Sequence, residues 1–157
     1  MIVKTPSLVR EYQYVSMRDP ALDNEVEDFS ERMDRFRDTG DLKHLPLKNG
    51  QDPVVWTLGH IRGRAKEHMR LYMHKTALDD GQVSGVACVD ACKLALQGVE
   101  NLTYDTGKKV ELDHHRDPKT GFRCLTDDCV NELYEIDEMF VLEIGMIALG
   151  AMVTPKK

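Results

Sequence analysis

The chain has 157 residues, a net charge of −6, 41 % hydrophobic and 31 % charged side chains, and four cysteines. This is the balance of a globular domain with a sizeable core; it excludes collagen-like, low-complexity and disulfide-miniprotein classes. The longest uncharged run, residues 144–155, falls short of the ~20 residues a membrane-spanning helix needs. The first residues carry Lys4 and Arg10 without an apolar run, so no secretory leader is expected.

The charge is unevenly placed. Residues 1–78 hold 13 basic and 12 acidic side chains, residues 79–157 hold 8 and 15. An acidic second half disfavours nucleic acid as a partner of the whole chain. Without a leader, the four cysteines read as free thiols or metal ligands.

In chain order, residues 1–7 read as a flexible arm. Tyr12, Tyr14 and Val15 make residues 8–17 a strand, broken by Asp19 and Pro20. A helix follows, capped by Asp23 or Asn24 and stopped by Gly40. Val26, Phe29, Met33 and Phe36 form its apolar stripe, and Glu25, Glu27 and Asp28 suit its first turn. Residues 45–47 and 54–58, on either side of the Asn49-Gly50 turn signal, read as the arms of a hairpin, with Trp56 anchoring it to the core. Residues 62–77 read as a helix bearing Arg62, Lys66 and Arg70 on one stripe. Ser84 caps another, over 85–99, whose stripe includes Cys88 and Cys92. A small hairpin about Thr106-Gly107 and a polar loop containing His114 and His115 come next. Thr126 caps one last long helix, acidic at first and apolar nearly all round from Met139, with Phe140 in its core stripe; residues 154–157 form a tail. The expected architecture is one α+β domain over residues 8–153, α-rich, with about four helices and one or two small antiparallel hairpins.

Motifs for catalysis are absent: the sequence has no GxSxG, P-loop, dinucleotide fingerprint or HExxH, so a non-enzymatic protein is expected. Cys88, Cys92, Cys124 and Cys129 are the one set that offers zinc four thiolates, although neither pair has the tight two-residue gap of zinc ribbons. Without that metal, no cofactor is expected. The stretch 60–75 holds five basic residues and three histidines against one acid, a pattern that also suits phosphates; residues 127–143 hold seven acids and no base. Arg62, Lys66 and Arg70 are therefore expected to meet acids such as Glu132, Glu135 and Asp137, within one chain or between copies.

Two segments carry a family resemblance. Residues 52–61, DPVVWTLGHI, resemble an extended segment of small conserved proteins of tailed bacteriophages. Residues 95–102, ALQGVENL, then Asp105-Thr106-Gly107, then the apolar helix over 133–149, are similar to the second half of the same proteins. The resemblance covers roughly residues 40–150. It implies a structural or assembly component from the head and tail region, tail assembly chaperones included. Such a component works through contacts with other virion or assembly proteins and with its own copies, in the virion or the host cytoplasm. The four cysteines and the His114-His115 segment depart from that pattern. They keep two rivals open: a metal-binding accessory module and a small nucleic-acid-binding protein using residues 60–75.

Overall fold

The structure, a computed structural model, describes residues 1–2 and 11–153; most of the proposed arm and the tail at 154–157 lie outside the described residues. The fold is α+β, as expected. The chain divides into two compact units: Tyr12–Leu58 with Gln97–Glu111, and Gly59–Leu96 with the chain from Leu112 onward. The single domain expected over residues 8–153 carries no sequence signal of this division.

The smaller unit carries a three-stranded sheet of order β1-β2-β3, from Glu11–Tyr14, Val55–Gly59 and Leu96–Glu100. Central β2 is buried at Val55, Trp56 and Leu58, that is, on both faces, as befits a middle strand. Helix α1, Phe29–Thr39, buries Met33 and Phe36 beside Val15, Leu22, Leu45 and Val55, with Phe29 partly buried against them. It starts later than its acidic prelude suggests. The Asp23 carboxylate accepts from the Glu25 N–H at 3.2 Å, a local turn that competes with helix, and Asp28 caps without a side-chain bond. Gly40 ends it in the left-handed region (φ 69°), donating its N–H to Phe36 O at 2.7 Å.

The hairpin expected between 45–47 and 54–58 is not formed. Leu47 instead bridges Leu22; Asp23 N donates to Pro46 O at 2.7 Å and Lys48 N to Ala21 O at 2.9 Å. Asp19 makes this pairing available. Its carboxylate accepts from Ala21 N (2.9 Å) and Val54 N (2.8 Å), folding the chain after β1 back onto 45–48. Arg32 clamps the same stretch, donating to His44 O at 3.2 Å and Leu45 O at 3.0 Å. Around Gly107 the expected small turn is present, closed by Tyr104 N to Lys108 O at 2.8 Å and one Thr103–Lys109 bridge.

The larger unit is mostly helical: α2 (Gly63–Thr76), α3 (Gly85–Ala95), α4 (Asp127–Ile136) and α5 (Glu138–Val153), with a hairpin of β4 (His114–Arg116) and β5 (Arg123–Leu125). Helix α3 is central, packing on α2, α5 and β5, while α4 packs on α5. The core joins Ile61 and Met69 to Cys88, Ala91 and Ala95 of α3 and to Ala148, Leu149 and Met152 of α5. Ser84 caps α3 as expected, accepting from Ala87 N at 3.3 Å. The helix stops at Ala95 rather than Val99, because Leu96 turns extended and the chain runs straight into β3.

The last helix is two. Thr126 caps α4 through Cys129 N (3.2 Å), but Asp137 is extended (φ −161°) and its carboxylate accepts from Met139 N at 2.9 Å, beginning α5. Residues 114–116, expected in a loop, are a strand: His114, His115 and Arg116 face Leu125, Cys124 and Arg123. Phe140 is half-buried.

α3 and α5 approach backbone to backbone. A Cβ placed on Gly145 would lie 2.0 Å from Cys88 O. One at Gly85 would lie 3.8 Å from Leu142 Cδ2, so the two helices run in the same general direction. Gly145→Ala is expected to lower unfolding stability by about 1–3 kcal/mol or more, since backbone rather than a flexible side chain must move. Gly150→Ala, with nothing within 4 Å of its Cβ, is expected to gain up to about 1 kcal/mol. Urea midpoints of the two variants check the contrast.

Candidate functional site

Polar chemistry gathers in one cleft of the larger unit, between α2, α3 and the β4–β5 hairpin. Alternation along the strands sends His115 and Cys124 to one face, and Phe122 and Asp117 extend that face toward the turn. Phe122 packs edge-on against His68 (5.7 Å between centroids), His68 stacks on Tyr72 (6.0 Å), and the Arg64 guanidinium lies 5.9 Å from the Phe122 ring centre. His68 Nε2 is 3.7 Å from Asp90 Oδ2, and Lys93 Nζ donates to Asp127 Oδ1 at 2.7 Å. Asp127 is thereby held below its ordinary carboxylate range, by the Lys93 hydrogen bond first and then by its charge, with His115 and Lys119 adding to it. Burial works against the Lys93 ammonium, yet Asp127, Cys124 and Asp90 outweigh it and the lysine titrates above its usual value.

The cleft is lined by His68, Asp90, Lys93, Asp117, Thr120 and Cys124 and encloses about 20 Å³. That is room for a water, against the hundreds of Å³ of a small-molecule pocket. Its cation is the protein's own Lys93. These residue types could serve acid–base or thiol chemistry, but here they are consumed in ties between elements.

All four cysteines are free and buried. Burial pushes Cys92 up to about 12, with Cys129 and Cys88 contributing as neighbours. Burial also raises Cys88, Cys124 and Cys129; the Asp113 N–H, donating to Cys129 Sγ at 3.4 Å, offsets part of the last. A raised thiol is a poor nucleophile and a poor metal ligand. Among the described residues no group of three or more His, Cys, Asp or Glu side chains is arranged to hold a metal ion, so Cys88, Cys92, Cys124 and Cys129 do not form the tetrahedral set that zinc would need. Their places on α3, β5 and α4 are packing positions. His114 is likewise a tie. Its Nε2 lies 2.8 Å from Leu96 O, and a carbonyl only accepts, so Nε2 carries the proton.

The expected contact residues are placed on α2, α4 and the bend between α4 and α5. Lys66 and Arg70 are exposed on α2, Arg70 lying 3.4 Å from Glu67 of its own helix; Arg62 is the half-buried cap residue. Glu132 and Glu135 are exposed on α4, while Asp137 caps α5 instead of joining an acidic face. Helix α3 links to both neighbours by charge: Asp90 to His68 of α2, and Lys93 to Asp127 of α4. These two residues were missed from the sequence, although they are the only charged side chains of an otherwise small and apolar helix. Phe122, which the sequence does not single out, was missed as well.

No family model, curated protein or solved structure matches the chain.

Two outcomes follow from the geometry. Asp127→Asn is expected to cost less than about 1 kcal/mol at neutral pH, since Asp127 is 83 % exposed. A lowered carboxylate stabilises above its unfolded pKa and loses that contribution as pH falls through the folded one. The difference between wild type and variant in urea titrations should therefore vanish below the ordinary carboxylate range. The thiols of the native protein should react with a disulfide reagent such as DTNB far more slowly than those of the unfolded chain; a fast native burst would contradict their burial.

Proposed function

We propose that this protein is a non-enzymatic structural or assembly component of a tailed bacteriophage, acting through contacts with other virion or assembly proteins and with its own copies. The observation that carries the protein-contact part is the outward face of α5. Met139 and Met146 lie two turns apart on that face and are 44 % and 51 % exposed. The opposite face of the helix is buried through Val141, Ile144 and Ala148. A helix apolar on both faces suits a second partner. The exposed cations of α2 and acids of α4 supply charge around such contacts. The phage assignment rests on the resemblance of residues 52–61, 95–110 and 133–149; within it, Asp105-Thr106-Gly107 makes the turn the pattern requires, Gly107 taking φ 85°. No helix among the described residues is long and apolar enough to cross a membrane.

The test is mass spectrometry of purified particles and of head and tail intermediates made with the chain present. The protein is expected in at least one of them, with Met139→Glu/Met146→Glu reducing its share. A strictly monomeric chain absent from both particles and intermediates refutes the reading.

A further inference from the structure

The second face of the β4–β5 hairpin carries a feature the fold does not explain. Arg116 and Arg123 are direct cross-strand partners, so their side chains leave the same face side by side. Like charges placed directly opposite in an antiparallel pair are destabilising. Both residues are exposed. Arg116 Nη1 donates to Gly121 O at 2.8 Å, which fixes its guanidinium along the hairpin end; the Arg123 side chain has no hydrogen bond or ion pair among the described residues.

The hairpin that presents them is rigidly held. At its root, Leu125 is fully buried and His114 is tied to Leu96 O. At its tip, Gly121 N donates to Asp117 O at 2.7 Å, Lys119 N to the Asp117 carboxylate at 2.8 Å, and Phe122 is packed against His68. One guanidinium, that of Arg116, is thus fixed, and Arg123 is presented beside it from a stiff support, which lowers the ordering cost of binding.

We propose that the Arg116–Arg123 pair is a docking site for the acidic face of α4 on a second copy of this chain. The proposal rests on the protein-contact reading above and names the partner for one surface. Charge complementarity selects the occupant. Asp128, Glu132 and Glu135 are exposed on α4, and the stretch 127–143 contains no base. Spacing matches as well. Cross-strand partners hold their Cβ atoms ~4.5–5.5 Å apart, and residues three or four apart on a helix hold theirs ~5–6 Å apart. Two adjacent carboxylates of α4 can each take one guanidinium in a forked pair. The chain's own α4 is not the occupant. Its first turn is engaged with the other face of the hairpin region, where Lys93 binds Asp127 and where His115 and Lys119 act on the same carboxylate. The strand pleat directs Arg116 and Arg123 away from that face.

The experiment is sedimentation and light scattering of the full chain in about 20 mM salt, where charge contacts are least screened, and again in about 500 mM. Wild type is expected to self-associate in low salt and to weaken in high salt. Arg116→Glu/Arg123→Glu keeps a like-charged pair at the same register, so the hairpin bears a similar internal cost, and it should lose at least about tenfold in self-affinity. Asp128→Lys/Glu135→Lys should do the same. An equimolar mixture of the two variants should associate again, because each supplies the charge the other lacks; that recovery also shows that both are folded. Either variant associating like wild type, or a mixture that stays monomeric, overturns the proposal. So does a wild type that never self-associates but binds DNA through these arginines, which would hand the site to another polyanion. Presence in particles is scored separately: a chain found in particles yet monomeric under these conditions overturns this contact alone, and a chain that associates but is absent from particles overturns the phage reading alone.

Discussion

The larger unit depends on the closeness of α3 to α5. Cys88 O and Gly145 meet with no space for a single carbon, and the residues around them are small: Ala87, Ala91, Cys92 and Ala95 on α3, Ala148 on α5. Close packing of this kind gathers many weak dispersion contacts and excludes water from both backbones. It also sets the role of the cysteines. At Cys88 and Cys92 the fold needs something slightly larger than alanine and still apolar, and a thiol satisfies that. The same burial that makes them good packing groups raises their pKa and removes their chemistry.

A helix gripped so closely on one side can carry polar groups only on the other. α3 has two, Asp90 and Lys93, three residues apart and hence on neighbouring positions of one face. Each reaches a different element, one toward His68 of α2 and one to Asp127 of α4. The exposed pair adds little stability, because solvent screens it. It acts more on orientation, placing the first turn of α4 beside the hairpin. With its internal charges joined through α3, the unit leaves Lys66 on α2 and Asp128 and Glu135 on α4 facing solvent.

Local chemistry was legible wherever it acted alone. The stripe of Met33 and Phe36, the Gly40 stop, and the Ser84 and Thr126 caps follow from side-chain size and hydrogen-bonding reach, and all are present. The failures share one cause, competition from a distant partner or a second local bond. Asp137 sits in an apolar-periodic run, and only its bond to Met139 N converts a continuous helix into two. Periodicity at 96–99 favours helix, yet those residues are drawn into a sheet beside β2. Residues 45–47 do pair, but with 21–23, because Asp19 turns the chain first. The His114-His115 segment looked like a polar loop because strand alternation is disguised when one face is polar and the other is short. Of the candidate site residues, Lys66, Arg70, Glu132 and Glu135 are at the surface, as a charge argument can anticipate. Asp90, Lys93 and the paired arginines required knowing which strands and helices lie side by side.

A repulsive arrangement survives in a fold only when something offsets it. The Arg116–Arg123 pair contributes nothing to the core, since the two side chains leave the hairpin end that Leu125 and His114 secure from the other end. Replacing Arg123 by a neutral residue would ease the hairpin without breaking a hydrogen bond, whereas Arg116 also holds Gly121 O. Asp127 shows that the sequence can place a carboxylate against a cation where the fold gains by it. No such carboxylate stands opposite either arginine across the strands. With the cysteines, His68, His114 and the α3 charges bound into packing or ties, the cross-strand repulsion of the arginine pair is the cost on this surface best explained by an anionic partner from outside the chain.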